Sequence, residues 1–377
     1  MRVAIDLTAL LPTPTGVDVY LRELLLHLGR IDGTNDYLVF TNYEDRRLFV
    51  NALPPNFRIV AQCLRPRAVR LLFQQAWLPV AARSCDLLHS PSFLMPAWRG
   101  RQKHVLSVHD MTFFLLPHVH TRLRRSRVFQ RAVLGSIERT HCVLAPSAGT
   151  KADILGLLPQ LDPDRVRVIP YGVADDFHPR LPREIEETAR RLRLPSNYIL
   201  HVGTIEPRKN LAHLLEAYRL LLRAGPVAED LVLAGRLGWD YQPLLRMMEA
   251  PDLRERVHRI GYVDRGDLPR LYAGARLFVC PSMHEGFGFP PLEAMACGVP
   301  VIASLSSSLA ENLRGAAELV PLADVPSMAA AMSRLLRDDG LRKRARELGL
   351  ARAAEFRWEQ TARATLRCYE ELASGRA

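Results

Sequence analysis

The stretch RLFVCPSMHEGFGFPPLEAMACGVPVIAS, residues 276–304, decides the fold. RLFVCPS is short and apolar and predicts a buried strand, and VPVIAS predicts another. Between them, PLEAMACG predicts a helix that begins at Pro291, because a proline in the first helical turn costs no hydrogen bond. A strand, a helix and a second strand in this order are typical of a parallel sheet.

The same alternation runs through the whole chain. In the first half, strands are predicted at RVAIDLTAL, YLVFT, RIVAQC, DLLHSPS, HVLSVHD, CVLAPS and RVRVIP. After the connector VIPYGVADDFHP, the pattern restarts with YILHVGT, LVLAG, VHRIGYV, RLFVCPS and VPVIAS. We therefore predict an α/β protein with two doubly wound domains, residues 1–172 and 173–355, and a last helix within 356–377. Ligands of such folds bind at the carboxyl ends of the strands, so we expect the site in a cleft between the domains.

The composition narrows the class of protein. The chain has 377 residues, of which 48% are apolar and 24% charged, as in soluble globular domains. Its apolar runs are too short to span a bilayer. The N-terminal MRVAIDLTALLP predicts a buried strand and not a signal peptide, because Asp6 interrupts its apolar stretch. Six cysteines without a CxxC pair indicate reduced thiols, so we expect a cytoplasmic protein.

The positive charge is uneven. The formal net charge is +11, and four arginines but no acid lie between Gln62 and Cys85. From Arg99 to Arg139 there are nine basic residues and two acids. These residues form either well-solvated faces or a surface that meets anionic lipid or phosphate groups. Nucleic acid is the weakest of the three interpretations, because aromatic residues are not interleaved with the basic ones as a stacking surface requires.

The segment YILHVGTIEPRKNLAHLLEAY points to a phosphate site. Its strand ends at a Gly-Thr turn, and Arg208 and Lys209 follow just before a helix that begins near Asn210. Backbone N–H groups at a helix N-terminus favour an anion, and two cations add charge-assisted hydrogen bonds. A pair of solvated basic residues is the alternative.

Two carboxylates belong to the glycine-rich loop HEGFGFPP, residues 284–291, and to the helix that follows it. Glu285 lies in the loop, and Glu293, eight residues later, is expected in the first turn of the helix. Gly286 and Gly288 allow the backbone to approach a ligand and to offer N–H donors to phosphate oxygens. Glu293 fits either a favourable charge near a helix N-terminus or a contact with ribose hydroxyls. Glu285 has no comparable structural role and is the stronger functional candidate.

These motifs together resemble those of retaining GT-B glycosyltransferases of family 4, also called glycosyl transferases group 1. EGFGFPPLE resembles the Glu-x7-Glu motif of that family, GTIEPRKN its phosphate-binding turn, and VIPYGVADDFHP its interdomain connector. GYVDRGDLPRLYAGARLFVCPS resembles the region that borders the nucleotide base, and FRWEQTARATLRCYEEL the closing helix that returns to the first domain. The likeness is dense from about residue 168 onward and implies a GT-B fold of two Rossmann-like domains. It also implies that residues 1–172 bind the acceptor and that residues 173–355 bind the nucleotide-sugar donor.

The resemblance also implies roles for single residues. Arg208 and Lys209 would hold the donor diphosphate, Glu293 the ribose hydroxyls, and Glu285 the donor sugar or its phosphate. The loop of Gly286, Phe287, Gly288 and Phe289 would cover the distal phosphate, and backbone at Gly261, Tyr262 and Val263 would contact the base. His109, near the end of HVLSVHD, stands at the active-site histidine position of the family and would face the donor sugar, and Asp110 would orient His109 or face the acceptor.

The first half departs from the family in one place. The family usually has a glycine-rich turn after the first strand, whereas this chain has PTGVDVY, with Gly16 as the donor-binding candidate and Asp18 where a small residue is common. His284, beside Glu285, is a further candidate for which packing is the simpler explanation. No clustered His/Cys pattern predicts a metal, and we expect no cofactor besides the nucleotide-sugar donor.

The reaction expected from the resemblance is hexosyl transfer with retention to a saccharide hydroxyl. GDP-mannose is the expected donor, in surface polysaccharide or O-antigen synthesis, and UDP-sugars are the alternative. The acceptor is expected to be lipid-linked, with peripheral contact to an anionic membrane. A GT-B epimerase or phosphorylase, a catalytically inactive sugar-nucleotide-binding partner and a dinucleotide oxidoreductase are the competing classes. The last lacks a G-x-G-x-x-G turn after a strand.

Overall fold

The computed structural model describes residues 1–11, 15–98, 100–121 and 123–375. Residues 12–14, in the predicted loop after the first strand, lie outside the described residues. Contacts divide the chain into two units. The first comprises Met1–Phe114, Leu123–Gly172 and Arg357–Ala377, and the second comprises Leu115–Arg122 and Val173–Phe356. This division does not test the predicted roles of the two domains. Acceptor binding by residues 1–172 and donor binding by residues 173–355 stay predictions.

The described part of the first unit contains a parallel sheet of seven strands in the order β3-β2-β1-β4-β5-β6-β7. The strands are β1 (Arg2–Asp6), β2 (Asp36–Asn42), β3 (Phe57–Gln62), β4 (Leu87–Ser90), β5 (Lys103–Ser107), β6 (Cys142–Ala145) and β7 (Val166–Val168). The direction of chain progression reverses between β1 and β4. This reversal is the switch point at which open parallel sheets bind ligands.

The second unit repeats the plan with six parallel strands, in the order β10-β9-β8-β11-β12-β13 for its described residues. They are β8 (Tyr198–Val202), β9 (Asp230–Ala234), β10 (Val257–Gly261), β11 (Leu277–Cys280), β12 (Val301–Ser304) and β13 (Glu318–Val320). Here the reversal lies between β8 and β11. The α/β class and the doubly wound architecture predicted from the sequence are confirmed in both units.

Helices connect the strands and cover the sheets. In chain order they are α1 (Gly16–Ile31), α2 (Arg67–Leu72), α3 (Leu78–Ala81), α4 (Thr112–Leu115), α5 (Arg127–Arg139), α6 (Ala148–Leu157), α7 (Pro182–Leu192), α8 (Leu211–Arg223), α9 (Gln242–Met248), α10 (Leu268–Ala273), α11 (Phe289–Ala296), α12 (Ser307–Asn312), α13 (Val325–Arg337), α14 (Asp339–Ala353) and α15 (Trp358–Ala373). A π-helical turn, Phe73–Trp77, joins α2 to α3. None of the helices in the described part of the chain has the length and apolar character that a bilayer crossing needs.

Helix α11 begins earlier than the sequence predicts. It starts at Phe289 and not at Pro291, because Gly288 at its N-cap has a left-handed backbone, with φ of 92°, that turns the chain into the helix. Glu293 therefore lies in the second turn, and no acid occupies the first turn. The expected place of Glu293 in the first turn is therefore wrong, and the alternative role as a charge at the helix N-terminus loses its basis.

The last helix, α15, is tied to the first unit through a polar chain in its core. The Tyr369 hydroxyl lies 2.6 Å from Nδ1 of His89, and Nε2 of His89 lies 2.8 Å from the Ser107 hydroxyl. That hydroxyl in turn lies 2.8 Å from the hydroxyl of Tyr20 in α1. All four side chains are buried, so each depends on the others for its hydrogen bonds.

Replacing Tyr369 by Phe should destabilise the protein by about 1–3 kcal/mol, because it leaves a buried imidazole nitrogen without its partner. Thermal unfolding of Tyr369→Phe measures the loss. Tyr43→Phe is the matched control, since Tyr43 is 47% exposed and should leave the midpoint unchanged. Equal midpoints for Tyr369→Phe and the wild-type protein would show that these hydrogen bonds do not help to hold α15.

Stability should also fall in mild acid. Burial lowers the pKa of His89 from 6.5 to about 3 and that of His201 from 6.5 to about 4. Below pH 6.5 the unfolded chain therefore binds protons that the folded chain does not, and the free energy of unfolding decreases as the pH falls towards 4. Unfolding midpoints measured between pH 7 and pH 4 should show this slope. His201→Gln should reduce it, whereas the exposed control His178→Gln should not.

Candidate functional site

The predicted phosphate-binding residues lie at the switch point of the second sheet. β8 ends at Val202 and leads into the turn Pro207–Lys209, which carries Arg208 and Lys209 just before α8. β11, the next strand in the sheet, ends at Cys280 and leads into the loop that carries Glu285. Because both strands are parallel, their following loops meet at the same edge of the sheet.

The structure brings Arg208, Lys209 and Glu285 together in one ion cluster. Nζ of Lys209 lies 2.5 Å from Oε1 of Glu285, and Nη1 of Arg208 lies 3.0 Å from Oε2 of the same carboxylate. Glu206, which the sequence interpretation missed, takes the other side of Arg208, with its Oε1 3.0 Å from Nε and 2.8 Å from Nη2. Two cations and two carboxylates thus balance in charge.

Glu285 remains ionised at neutral pH. It is only 9% exposed, and burial alone would raise its pKa. The charges of Lys209 and Arg208, with hydrogen bonds from Lys209 and Ser282, outweigh the burial and hold the pKa of Glu285 well below its usual range. Glu285 is therefore a fixed negative charge, and it has no proton to give as a general acid.

The two cations differ in how much of their hydrogen-bonding capacity the protein uses. Arg208 directs Nε, Nη1 and Nη2 to protein acceptors, including the carbonyl of His284 at 3.0 Å. Lys209 makes one side-chain hydrogen bond within the described part of the chain, to Glu285, although an ammonium group has three donors. Lys209 is thus the more available partner for an anion, and Arg208 holds the loops in position.

His201 in β8 is a second residue that the sequence interpretation missed. Its Nδ1 donates to the carbonyl of Val279 at 2.9 Å, and its buried Nε2 has no partner in the residues that the structure describes. A Cβ placed on Gly203 would lie 3.2 Å from that Nε2 and 3.4 Å from Cε of Lys209. The signal that could have found it is the one that pointed to His109, a histidine near the carboxyl end of an apolar strand.

Helix α12 holds the glycine-rich loop. Ser307 lies 3.1 Å from Nε2 of His284, Ser308 donates to the Glu285 carbonyl, and Asn312 donates to the Phe287 carbonyl at 2.8 Å. At Gly288 any Cβ would come within 2.6 Å of Leu309, and the positive φ adds strain for other residues. The loop of Gly286, Phe287, Gly288 and Phe289 is therefore anchored along its length.

Glu293 makes contacts of its own. Its Oε2 accepts a hydrogen bond from Tyr272 at 3.0 Å, and its Oε1 lies 3.6 Å from Arg265. The side chain is buried, and burial raises its pKa despite the charge of Arg265. The role at ribose hydroxyls stays a prediction.

The residues expected to border the base lie at the end of β10 and just after it. Gly261 has φ of 77°, and its carbonyl accepts a hydrogen bond from Gly235 at 2.6 Å. Tyr262 is 45% exposed, whereas Val263 is buried. Tyr262 thus offers an accessible ring next to a backbone turn, and the predicted base contact remains untested.

In the first unit, His109 is held on both sides of its ring. Nε2 lies 2.8 Å from the carbonyl of Pro91, and Nδ1 lies 2.7 Å from the hydroxyl of Tyr171. A carbonyl only accepts, so Nε2 carries the proton and Nδ1 accepts from Tyr171. Burial lowers the pKa of His109 to about 4, so the ring is neutral. Its predicted contact with the donor sugar would require one of these hydrogen bonds to exchange.

Two other predicted residues of the first unit have local roles. Asp110 accepts hydrogen bonds from the backbone and the hydroxyl of Thr112, at 3.0 and 2.5 Å. Gly16 is the first residue of α1. Asp18 is buried and binds the backbone N–H groups of Leu11 and Thr15, at 2.8 and 2.6 Å. Asp18 therefore binds Leu11 and Thr15 at a position where the family usually has a small residue.

No group of three or more metal-ligating side chains is arranged around a common point in the described ranges. The six cysteines are all free thiols, and Sγ of Cys142 lies 3.2 Å from Sγ of Cys368.

Comparison with known proteins identifies the family. The profile of Glycosyltransferase Family 4 matches residues 14–177, and that of Glycosyl transferases group 1 matches residues 183–351. O-antigen chain mannosyltransferase B of Escherichia coli is 35% identical over 316 residues, which cover 82% of this chain and 81% of that protein. The serotype-specific mannosyltransferase WbdA of Escherichia coli is 28% identical over 362 residues, 91% of this chain and 44% of WbdA.

Solved structures agree on the fold. Sucrose-phosphate synthase from Thermosynechococcus elongatus superimposes with a TM-score of 0.80 at 22% identity, over 99% of both chains. HepE from Anabaena, solved with UDP and glucose, also gives a TM-score of 0.80, at 18% identity over 98% of this chain and 100% of HepE. The chain therefore belongs to glycosyltransferase family 4, the group 1 glycosyl transferases, and is a glycosyltransferase of the GT-B fold.

Proposed function

We propose that this protein transfers mannose from GDP-mannose to a hydroxyl of a growing saccharide, with retention of the anomeric configuration, in O-antigen or other surface polysaccharide synthesis. The observation that carries the proposal is the cluster of Lys209, Arg208 and Glu285 at the switch point of the second sheet. The choice of mannose is supported by the 35% identity to O-antigen chain mannosyltransferase B.

The cluster suits a leaving diphosphate. When the C–O bond to the sugar breaks, negative charge grows on the departing phosphate oxygen, and a fixed cation in a buried site stabilises that charge strongly. Lys209 has further N–H donors for this oxygen, and Arg208 holds the loops around the lysine in position. Glu285 prevents the two cations from repelling each other before the donor binds.

Retention is proposed to follow from front-face substitution. The acceptor oxygen forms its bond to the anomeric carbon on the face that the phosphate leaves, and the acceptor proton passes to the departing phosphate oxygen. This route needs no protein base, which agrees with the low pKa of the Glu285 carboxylate and its place between two cations. Glu285 would instead orient the donor sugar or its phosphate through charge.

We also propose that the reaction needs no metal ion. The two cations supply the positive charge that a divalent ion gives to a diphosphate in other enzymes. The expected acceptor is a lipid-linked saccharide, and we propose that the protein works at the cytoplasmic face of the membrane. The excess of basic residues in the first unit supports this location, since each basic side chain near an anionic bilayer contributes roughly 1 kcal/mol of attraction.

A panel of nucleotide sugars tests the donor. GDP-mannose should raise the thermal unfolding midpoint and support transfer in the presence of excess EDTA, whereas UDP-glucose, UDP-galactose and GDP-fucose should do neither at the same concentration. The anomeric proton coupling of the product, measured by NMR, reports retention. Transfer from UDP-glucose alone would refute the proposed donor, loss of activity with EDTA would refute metal independence, and an inverted product would refute the mechanism.

Glu285→Gln tests the role of the carboxylate. Nucleotide binding should persist, because Lys209 and Arg208 remain, while kcat should fall about a hundredfold, the usual loss when one electrostatic group of a transition state is removed. Glu187→Gln is the matched control, since Glu187 forms an exposed ion pair with Arg183 and should retain full turnover. If Glu285→Gln kept the turnover of the wild-type protein, Glu285 would have no role in the reaction.

A further inference from the structure

The first sheet has a pocket at its own switch point. Ala9 follows β1, and Ser92, Phe93 and Leu94 follow β4, the strands between which the chain order reverses. These residues line a cavity of about 140 Å³, together with Arg67, Arg70, Leu71, Gln74 and Phe129. All of the lining lies within the first unit. None of these residues belongs to the predicted donor site.

The pocket has a positively charged wall. Arg67 and Arg70 have no ion-pair partner within 4.0 Å among the residues that the structure describes. Burial lowers the pKa of Arg70, and the charges of Arg67 and Arg65 add to that effect against the opposing charge of Asp6. Two guanidinium groups that face one cavity without a counter-ion would gain from an anionic ligand.

The nearest acid is already engaged. Asp6 is buried, and its Oδ1 accepts from the Thr8 backbone and hydroxyl at 2.9 and 2.6 Å. Its Oδ2 accepts from Nε2 of Gln74 at 2.8 Å. Burial raises the pKa of Asp6, which weakens its negative charge. Asp6 thus fixes Gln74 in the pocket wall.

Another part of the lining is apolar, and its backbone is strained at Phe93. Phe93 has φ of 54°, a left-handed conformation that is costly for an aromatic residue and persists mainly at functional sites. Its ring packs edge-on against His109, with centroids 5.6 Å apart, and Arg124 lies 5.9 Å above it. The predicted active-site histidine therefore borders a residue of this pocket.

The helical stretch that carries the two arginines also exposes apolar side chains. Val69 is 45% exposed, Leu72 67%, Trp77 59% and Val80 43%. Val69 and Leu72, three residues apart in α2, lie on the same side of that helix. Apolar and aromatic residues beside arginines are typical of elements that lie in the interface of a membrane.

We propose that this pocket binds a phosphate group attached to an apolar chain. The guanidinium groups of Arg67 and Arg70 would hold the phosphate oxygens, and Phe93, Leu94 and Leu71 would contact the first carbons of the chain. One part of this inference rests on the proposed function, namely that the ligand is the carrier of the saccharide acceptor. Binding itself does not depend on the identity of the donor.

The test uses the full chain and three probes below their critical micelle concentrations. These are farnesyl phosphate, farnesol, which lacks the phosphate, and inorganic phosphate, which lacks the chain. Isothermal titration should give the tightest binding for farnesyl phosphate, with each of the others at least tenfold weaker. Equal affinity for farnesol would overturn the phosphate site, and equal affinity for inorganic phosphate would overturn the apolar-chain component.

Charge-removing variants locate the site. Arg67→Gln and Arg70→Gln should each weaken farnesyl phosphate binding about tenfold, the usual loss of one charge-assisted contact. Arg83→Gln is the matched control, because Arg83 is an exposed arginine just after α3 that does not line the pocket. Wild-type affinity in Arg67→Gln, whose side chain is exposed, would overturn the proposal. An equal loss in Arg83→Gln would overturn it too.

A GDP titration on the same variants separates the two proposals. GDP affinity should be unchanged in Arg67→Gln and Arg70→Gln, since none of the predicted donor-binding residues lines this pocket. Loss of farnesyl phosphate binding with intact GDP binding supports the pocket. If the wild-type chain bound farnesyl phosphate but not GDP, the proposed donor would fail while the pocket stood.

Discussion

The structure of the second unit depends on one carboxylate placed between two cations. A buried glutamate without partners would be neutralised. Glu285 stays ionised because it meets Lys209 and Arg208 together. This requirement joins two loops that are 76 residues apart in the chain, so the turn after β8 and the loop after β11 form one site.

The two sheets place their candidate sites by the same rule. In each, the strand order reverses once, and the loops on either side of the reversal separate and leave room for a ligand. In the second sheet that room is bordered by a charge-balanced cluster that suits a diphosphate. In the first it is bordered by aromatic rings and by arginines that have no ion-pair partner within the described part of the chain. The shared topology thus supports two different binding chemistries.

Much of this could be predicted from the sequence, because the strands of parallel sheets are apolar runs that end in small or polar residues. β13 was missed since its three residues, Glu318–Val320, are too few to show a pattern. The start of α11 was placed two residues late because the sequence does not show the φ of Gly288. Arg208, Lys209 and Glu285 were found through their motifs. The contributions of Glu206 and His201, and the internal hydrogen bonds of His109, depend on tertiary contacts that local sequence does not reveal.

The position of α15 in the chain has a consequence for biosynthesis. The helix belongs to the first unit, yet it follows every residue of Val173–Phe356. A ribosome therefore completes the second unit before it supplies the tyrosine that His89 needs. The first sheet therefore leaves the ribosome before the hydrogen bond between His89 and Tyr369 is able to form. The second unit is able to complete its folding first, which reverses the usual order in which N-terminal domains fold during synthesis.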